Sequence, residues 1–283
     1  MSMIVNTNVM SLVTQTNLNN TQSKLNNAIT QLSSGLRINS AMDDPAGLAI
    51  ATGMQSQING MNQGVINANA AISMAQVADG AMGSVSNMLQ QMRTLAVEAA
   101  NGTNGSGAGS ADANLDAEYQ QLATQIANTL GSTTFNGVSV FSQSATMTYQ
   151  VGANTTDQVA VHVGSAGSTL ATDLALKAAS LGSVINPASA TAALTAIDTA
   201  LNDVNSARAQ NGAFEIQFQQ IVSSTQINSQ NTSAAKSQLT DTNYAEATSA
   251  LTQAQIVQQA GTAMLSQANM QPQSVLTLLS KLP

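Results

Sequence analysis

Over positions 54–95 ten large apolar residues fall on one helical stripe. Met54, Ile58, Met61, Val65, Ile72, Met82, Val85, Leu89, Met92 and Leu95 are separated by three, four or sums of these, the spacing of a helix face. An average helix runs about 12 residues, so a stripe of this length predicts a rod. Asp43-Asp44-Pro45 marks its start: a carboxylate accepts from free N–H groups and the proline takes the first helical position. The methionines on this stripe are expected to pack between helices, since Met fills irregular apolar gaps.

A second rod is predicted near the other end. Asn186-Pro187 repeats the cap-plus-proline start, and Leu194, Ile197, Leu201, Val204, Phe214, Phe218, Ile221 and Leu239 carry the stripe. Each rod is flanked by a tail. Leu18, Leu25, Ile29, Leu32 and Leu36 predict a coiled-coil seam on an N-terminal helix that stops at Ser34-Gly35. A C-terminal helix opens near Asp241 and Asn243, with Glu246 completing a capping box, and runs through Leu251, Ile256, Met264 and Leu265 to Leu279. Isolated helices are marginal in water, so these tails must pair with each other or wait for neighbours.

Between the rods the period changes. NGTNGSGAGS at 101–110 is a chain-reversing loop. A shorter helix follows, with Asp112 as its expected cap, Leu115, Tyr119, Leu122, Ile126 and Leu130 as its buried face, and Gly131 just past its end. Asn136-Gly137 is a hairpin turn, while Met147, Tyr149, Val151 and then Val159, Val161, Val163 alternate as half-buried strands do. Residues 165–185 are ambiguous. The fold class is therefore mainly α: long antiparallel coiled-coil-like rods, paired N- and C-terminal tail helices and a small central β-hairpin region.

Charge narrows the function. Only 7% of residues are charged and the net charge is −7, against about 25% charged in ordinary domains. The seven Lys and Arg are scattered, so no basic stripe exists for nucleic acid. No apolar run approaches the ~18 residues of a membrane span, and no basic segment followed by an apolar one suggests a cleaved signal peptide. No membrane insertion is expected. With no Cys and one His, thiolate chemistry and an HExxH zinc site cannot be built. His162 reads as an outward-facing strand residue, Asp43 and Asp44 as helix caps, and the glycines at 102–109 lack the lysine of a phosphate-binding loop. No enzyme activity, cofactor or metal is expected. The rare Arg37, Arg93 and Arg208 either hold specific contacts, with Asp43, Asp44 or Asp203 as partners, or stand solvated. Neutral helix faces let many copies pack without accumulating repulsion, and a chain with apolar tails at both ends is expected to form a homopolymer.

Several blocks carry a family resemblance. LSSGLRINSAMDDPAG at 32–47, NANAAISMAQVADGAM at 67–82 and TLAVEAANGTN at 94–104 resemble the N-terminal half of bacterial flagellin. The run TDTNYAEATSALTQAQIVQQAGTAMLSQANMQPQSVLTLL at 240–279 resembles its C-terminal signature, and FNGVSVF at 135–141 and QVGAN at 150–154 its hairpin region. The resemblance implies an inner, channel-lining domain of residues 1–42 plus 241–283, and a helical rod domain of 43–141 plus 186–240. It also implies a small β-rich tip at 142–185, with the large outer domain of many members missing or vestigial. An extracellular filament used for swimming motility is implied, with export by the flagellar type III apparatus. The implied partners are an export chaperone, the filament cap and hook-associated junction proteins. The self-assembly residues expected are Leu18, Leu25, Ile29, Leu32, Leu36, Arg37, Leu251, Ile256, Met264, Leu265 and Leu279. An immune-receptor-facing region is implied at Gln90, Gln91, Arg93, Leu95 and Gln121. There the family's stimulating members read Q-R-x-R-E-L where this chain has QQMRTL at 90–95, so weak recognition by the Toll-like receptor for flagellin is expected. A hook-filament junction protein shares the terminal architecture and is the alternative reading. A signalling coiled coil or an enzyme would need a membrane segment or a catalytic constellation.

Overall fold

The computed structural model describes residues 7–103, 110–141, 147–161 and 182–279. The helices are α1 (Val9–Ser34), α2 (Pro45–Ala99), α3 (Ala111–Ser132), α4 (Pro187–Thr240) and α5 (Tyr244–Leu279). Four short strands form two antiparallel pairs, β1 (Thr134–Phe135) with β2 (Val138–Ser139) and β3 (Met147–Gln150) with β4 (Gln158–Val161). The chain divides into two compact units, a terminal one of Met1–Ser56 with Asn231–Pro283 and a central one of Gln57–Gln230.

In the central unit the predicted stripes do become the core. Met82, Leu89 and Met92 of α2, Tyr119, Ile126 and Leu130 of α3, and Ile197 and Val204 of α4 are all buried in one apolar cluster. On α2 the buried positions Ala68, Ala71, Ala75, Ala78, Met82, Val85, Leu89, Met92, Ala96 and Ala99 alternate steps of three and four, the seam of a coiled coil. Alanine fills six of these ten positions, which brings helix backbones close. Two ion pairs brace the outside, Arg93 to Asp198 and Arg208 to Asp79, each at 2.8 Å. Both pairs are half exposed, so solvent screening leaves each a minor contribution. Inside, Asn211 Nδ2 donates to the Ala75 carbonyl at 2.6 Å.

Local signals set most element ends. Gly35 takes φ +71 and its N–H donates to the Gln31 carbonyl, closing α1 in a left-handed cap. Asp44 accepts from the Gly47 N–H at 2.9 Å ahead of α2, and Asn186 accepts from the Ser189 N–H at 2.8 Å ahead of α4. Asn136 and Gly137 both adopt positive φ, 51 and 78, as the tight β1–β2 hairpin requires. Two expectations for α3 are corrected. Its cap is Ser110, whose side chain accepts from Ala113 N–H, because Asp112 lies one residue inside the first turn. There Asp112 is buried, and neither carboxylate oxygen has a partner. Gly131 sits within the helix, which runs on to a Thr133 cap.

The β3–β4 hairpin rests on α2. Tyr149 and Phe218 meet edge to face with centroids 5.7 Å apart, and Asn67 Nδ2 donates to the Gln150 carbonyl at 2.9 Å. Val151 and Val161 are buried against Ala68, Ala71 and Phe218. The expected strand residue Val163 and the site of His162 lie outside the described residues.

Burial pushes the ionisation of the Tyr119 hydroxyl up, with the charge of Asp116 adding to it, and burial does the same at Tyr149. A folded pKa above the unfolded value leaves that stability complete below about pH 10, and it is lost as pH rises beyond. The central unit is expected to melt at progressively lower temperature above about pH 10. Thermal melts across that range check this, and Tyr119→Phe should flatten the decline.

Candidate assembly surface

The terminal unit is built on one antiparallel helix pair. Along α1, Ser11, Leu18, Thr21, Leu25, Ala28 and Leu32 are buried or half-buried; along α5, Ala247, Leu251, Ala254, Gly261, Leu265 and Ala268 are. Both sets follow the alternation of three and four that defines a coiled-coil seam. Small residues sit opposite large ones: a Cβ added at Gly261 would stand 3.3 Å from Leu18 Cδ1. Asn8 caps α1 by accepting from Ser11 N–H and also donates to the Ala268 carbonyl at 2.8 Å. Gln258 donates to Gln22 Oε1 at 2.7 Å on the pair's surface.

Of the residues expected for self-assembly, Leu18, Leu25, Leu32, Leu251 and Leu265 lie on this seam. Ile29, Leu36, Ile256 and Met264 do not: all four are exposed, Ile256 by 60% and Met264 by 59%. The single N-terminal seam drawn through Ile29 and Leu36 is therefore corrected. The side chain of Leu279 lies outside the described set. Val9, Met10, Leu12 and Val13 on α1 and Val257 and Met270 on α5 are exposed as well. The terminal pair thus has two apolar zones, a seam of small and leucine residues and an outer set open to solvent. Charge is nearly absent from both helices, Lys24 being the one ionic side chain of α1 and Glu246 that of α5.

At the base of this pair two chain breaks run side by side. Leu36 and Asp241 form an antiparallel bridge, with Arg37 N–H donating to the Thr240 carbonyl at 2.7 Å and Thr242 N–H to the Gly35 carbonyl at 2.9 Å. Arg37 Nη2 donates to the Leu239 carbonyl at 2.7 Å, so its partner is a helix end and not Asp43 or Asp44. Those two carboxylates serve the backbone locally. Asp43 accepts from the N–H groups of Asn39 and Ser40 and from the Ser40 hydroxyl, which together hold its pKa low. Arg93 and Arg208 likewise have Asp198 and Asp79 as partners, not Asp203.

The receptor-facing positions are divided. Gln90, Gln91 and Gln121 are exposed, Leu95 is half-buried against the central core, and the Arg93 guanidinium is occupied by Asp198. Among the described residues no group of three or more His, Cys, Asp or Glu gathers to hold a metal ion, and no helix is long and apolar enough to cross a membrane.

Fold and surface together define a mainly helical protein whose N- and C-terminal arms form one coiled coil. The bacterial flagellin N-terminal helical region matches residues 5–146 and the C-terminal helical region residues 194–279. This chain belongs to the bacterial flagellin family. It is 50% identical to the flagellin of Salmonella muenchen over 157 residues, 54% of this chain and 30% of that one. It is 47% identical to the phase 1 flagellin of Salmonella naestved over 164 residues, 57% of this chain and 31% of that protein. The matched part therefore spans less than a third of the curated relatives. A Vibrio parahaemolyticus structure assigned to the flagellar hook-associated class shares the fold, at a TM-score of 0.55 and 15% identity, covering 70% of this chain and 100% of that one.

Proposed function

We propose that this chain is a structural subunit that polymerises into the extracellular flagellar filament used for swimming, through its paired terminal helices. The supporting observation is the set of apolar residues left exposed on the terminal pair, Val9, Leu12, Val13, Ile256, Val257 and Met264, on helices almost free of charge. Covering them with neighbouring copies would contribute about 25 cal/mol per Å² buried, and neutral surfaces add little repulsion as copies accumulate. Residues 1–42 with 241–283 would line the channel, 43–141 with 186–240 would form the surrounding rod shell, and 142–185 the reduced tip. Export by the flagellar type III apparatus, a chaperone, the filament cap and the hook-associated junction proteins complete the reading. Its chemistry is packing, not catalysis.

The test is electron microscopy of purified chain added to short filament seeds. Long hollow filaments are expected. A chain that stays soluble under every polymerising condition would favour the junction-protein reading, whose fold is the same.

The receptor-facing surface is proposed to signal weakly. Gln91 and Gln121 offer neutral groups where charge-assisted hydrogen bonds would be stronger, and Arg93 is already engaged by Asp198. A reporter-cell assay for the flagellin-sensing Toll-like receptor is expected to give a response well below that of a potent flagellin, and an equal response would overturn the proposal.

A further inference from the structure

The chain has no Cys and no Trp, so the thioethers of its methionines are its most readily oxidised side chains. The described methionines divide by their place in the fold; Met1 and Met3 lie outside the described residues. On the central unit, Met74, Met82 and Met92 are buried in the apolar core, and Met88 and Met147 pack half-buried against it. Met54 and Met61 are half-buried on α2. Met10, Met42, Met264 and Met270 are exposed by half or more, and all four belong to the terminal unit. Met42 is 94% exposed on the turn between α1 and α2. The other three gather near the point where Asn8 donates to the Ala268 carbonyl. Met10 follows Asn8 closely, and Met264 and Met270 flank Ala268. Pairing α1 with α5 leaves all four side chains open, so they face water whether the arms are together or apart.

We infer that Met10, Met42, Met264 and Met270 are an oxidation site: peroxide converts them to sulfoxides while the chain is unassembled, and the sulfoxides block its addition to the polymer. The inference rests on the assembly function proposed above for that consequence, because these side chains belong to the exposed apolar set that neighbouring copies would cover. In the step itself, the thioether sulfur attacks one peroxide oxygen, the O–O bond breaks as the S–O bond forms, and the second oxygen leaves as water. Sulfur loses two electrons and the peroxide is reduced by two. A flexible apolar side chain thereby becomes a polar one. A contact that covers it must then bury a strong acceptor without a donor. The central core keeps its own methionines out of reach, so the rod holds its fold while the arms lose their apolar character. A copy already in the polymer has these thioethers covered, so the site is open only before assembly.

The experiment treats the full chain with dilute hydrogen peroxide, locates sulfoxide by peptide mass mapping and then measures the critical concentration for seeded growth. Sulfoxide is expected at Met10, Met42, Met264 and Met270 well before Met74, Met82 and Met92, with the melting of the central unit unchanged. The critical concentration should rise roughly tenfold or more, the scale of one polar group buried without a partner. Two controls assign the effect. Methionine sulfoxide reductase with a thiol reductant removes the added oxygen and should restore growth. The variant carrying Met10→Leu, Met42→Leu, Met264→Leu and Met270→Leu keeps apolar side chains of similar volume and should grow equally well before and after peroxide. Assembled filaments given the same treatment should acquire little sulfoxide at the four positions. Sulfoxide spread evenly over exposed and core methionines overturns the site. Normal growth by chain oxidised at the four overturns its consequence, as does a leucine variant that peroxide still stops. A parent chain that never grows on seeds brings down the filament reading, while early sulfoxide at the four positions still upholds the site.

Discussion

Gly64→Ala is expected to lower the melting temperature of the central unit by roughly 5–10 °C, for a loss of about 2–3 kcal/mol in a unit of this size. A Cβ at Gly64 would lie 2.3 Å from the Val151 carbonyl oxygen, 2.5 Å from its carbon and 2.9 Å from Gly152 N. All three are backbone atoms at the end of β3, so no flexible side chain can move aside. Gly60, one turn earlier, faces Ala153 in the same way, at 2.7 Å from its Cβ and 2.8 Å from its Cα. Gly60 and Gly64 together form the flat patch on α2 that receives the β3–β4 turn. Pushing the hairpin off would uncover Val151, Val161 and Phe218 and break the Asn67–Gln150 hydrogen bond. The same substitution elsewhere on α2 serves as its control. Gly80 and Gly83 have nothing within 4 Å of an added Cβ, so Gly80→Ala and Gly83→Ala should stabilise by up to about 1 kcal/mol through helix propensity. Calorimetry of the three variants tests the sign at each site. A Gly64→Ala protein as stable as Gly80→Ala would show that the hairpin does not sit on this patch.

Ala254→Glu is expected to abolish filament growth while leaving the melting of the central unit unchanged. Ala254 is 7% exposed in the middle of the α1–α5 seam, and no side chain of opposite charge lies on α1 or α5 except Lys24. Burying an unpaired carboxylate costs several kcal/mol, more than a seam of small residues can supply. The arms would separate or slip, and the arrangement of their exposed apolar residues would be lost. Ala254→Ser is the matching mild variant, since Ser11 and Thr21 already sit in the seam, and it should polymerise. Sedimentation of polymer from monomer reads the difference. Normal filaments from Ala254→Glu would mean that the helix pair is not what assembles.

Much of this architecture was legible because large apolar residues and turn chemistry are local signals. The stripe from Ile58 to Met92, the Asn136-Gly137 turn and the Asn186-Pro187 start each state their conformation within a few residues, and the structure places helix, hairpin and helix there. The terminal seam was legible only in part. Leu18, Leu25 and Leu32 mark it, but its deepest positions are Ser11, Thr21, Ala28, Ala247, Ala254 and Ala268, which carry little hydropathic signal. Ile29, Leu36, Ile256 and Met264 stand out in the sequence and lie on the outside instead. Partners far apart in the chain were not legible at all. Arg37 meets Leu239, Arg93 meets Asp198 and Arg208 meets Asp79 across 202, 105 and 129 residues, and only the fold brings those numbers together. The α3 start shows the opposite failure. Ser110 and Asp112 are both good caps by type, and a one-residue difference in where the helix begins decided which one serves.

Removing one arm tests the central claim most directly. The chain lacking residues 241–283 would be added to filament seeds beside the full chain, and both followed by electron microscopy. Paired terminal helices as the assembly element predict long hollow filaments from the full chain and none from the truncated one, with the central unit still melting as in the parent. Filaments of ordinary length from the truncated chain would contradict the account, because growth would then need neither the α1–α5 seam nor the Leu36–Asp241 bridge at its base.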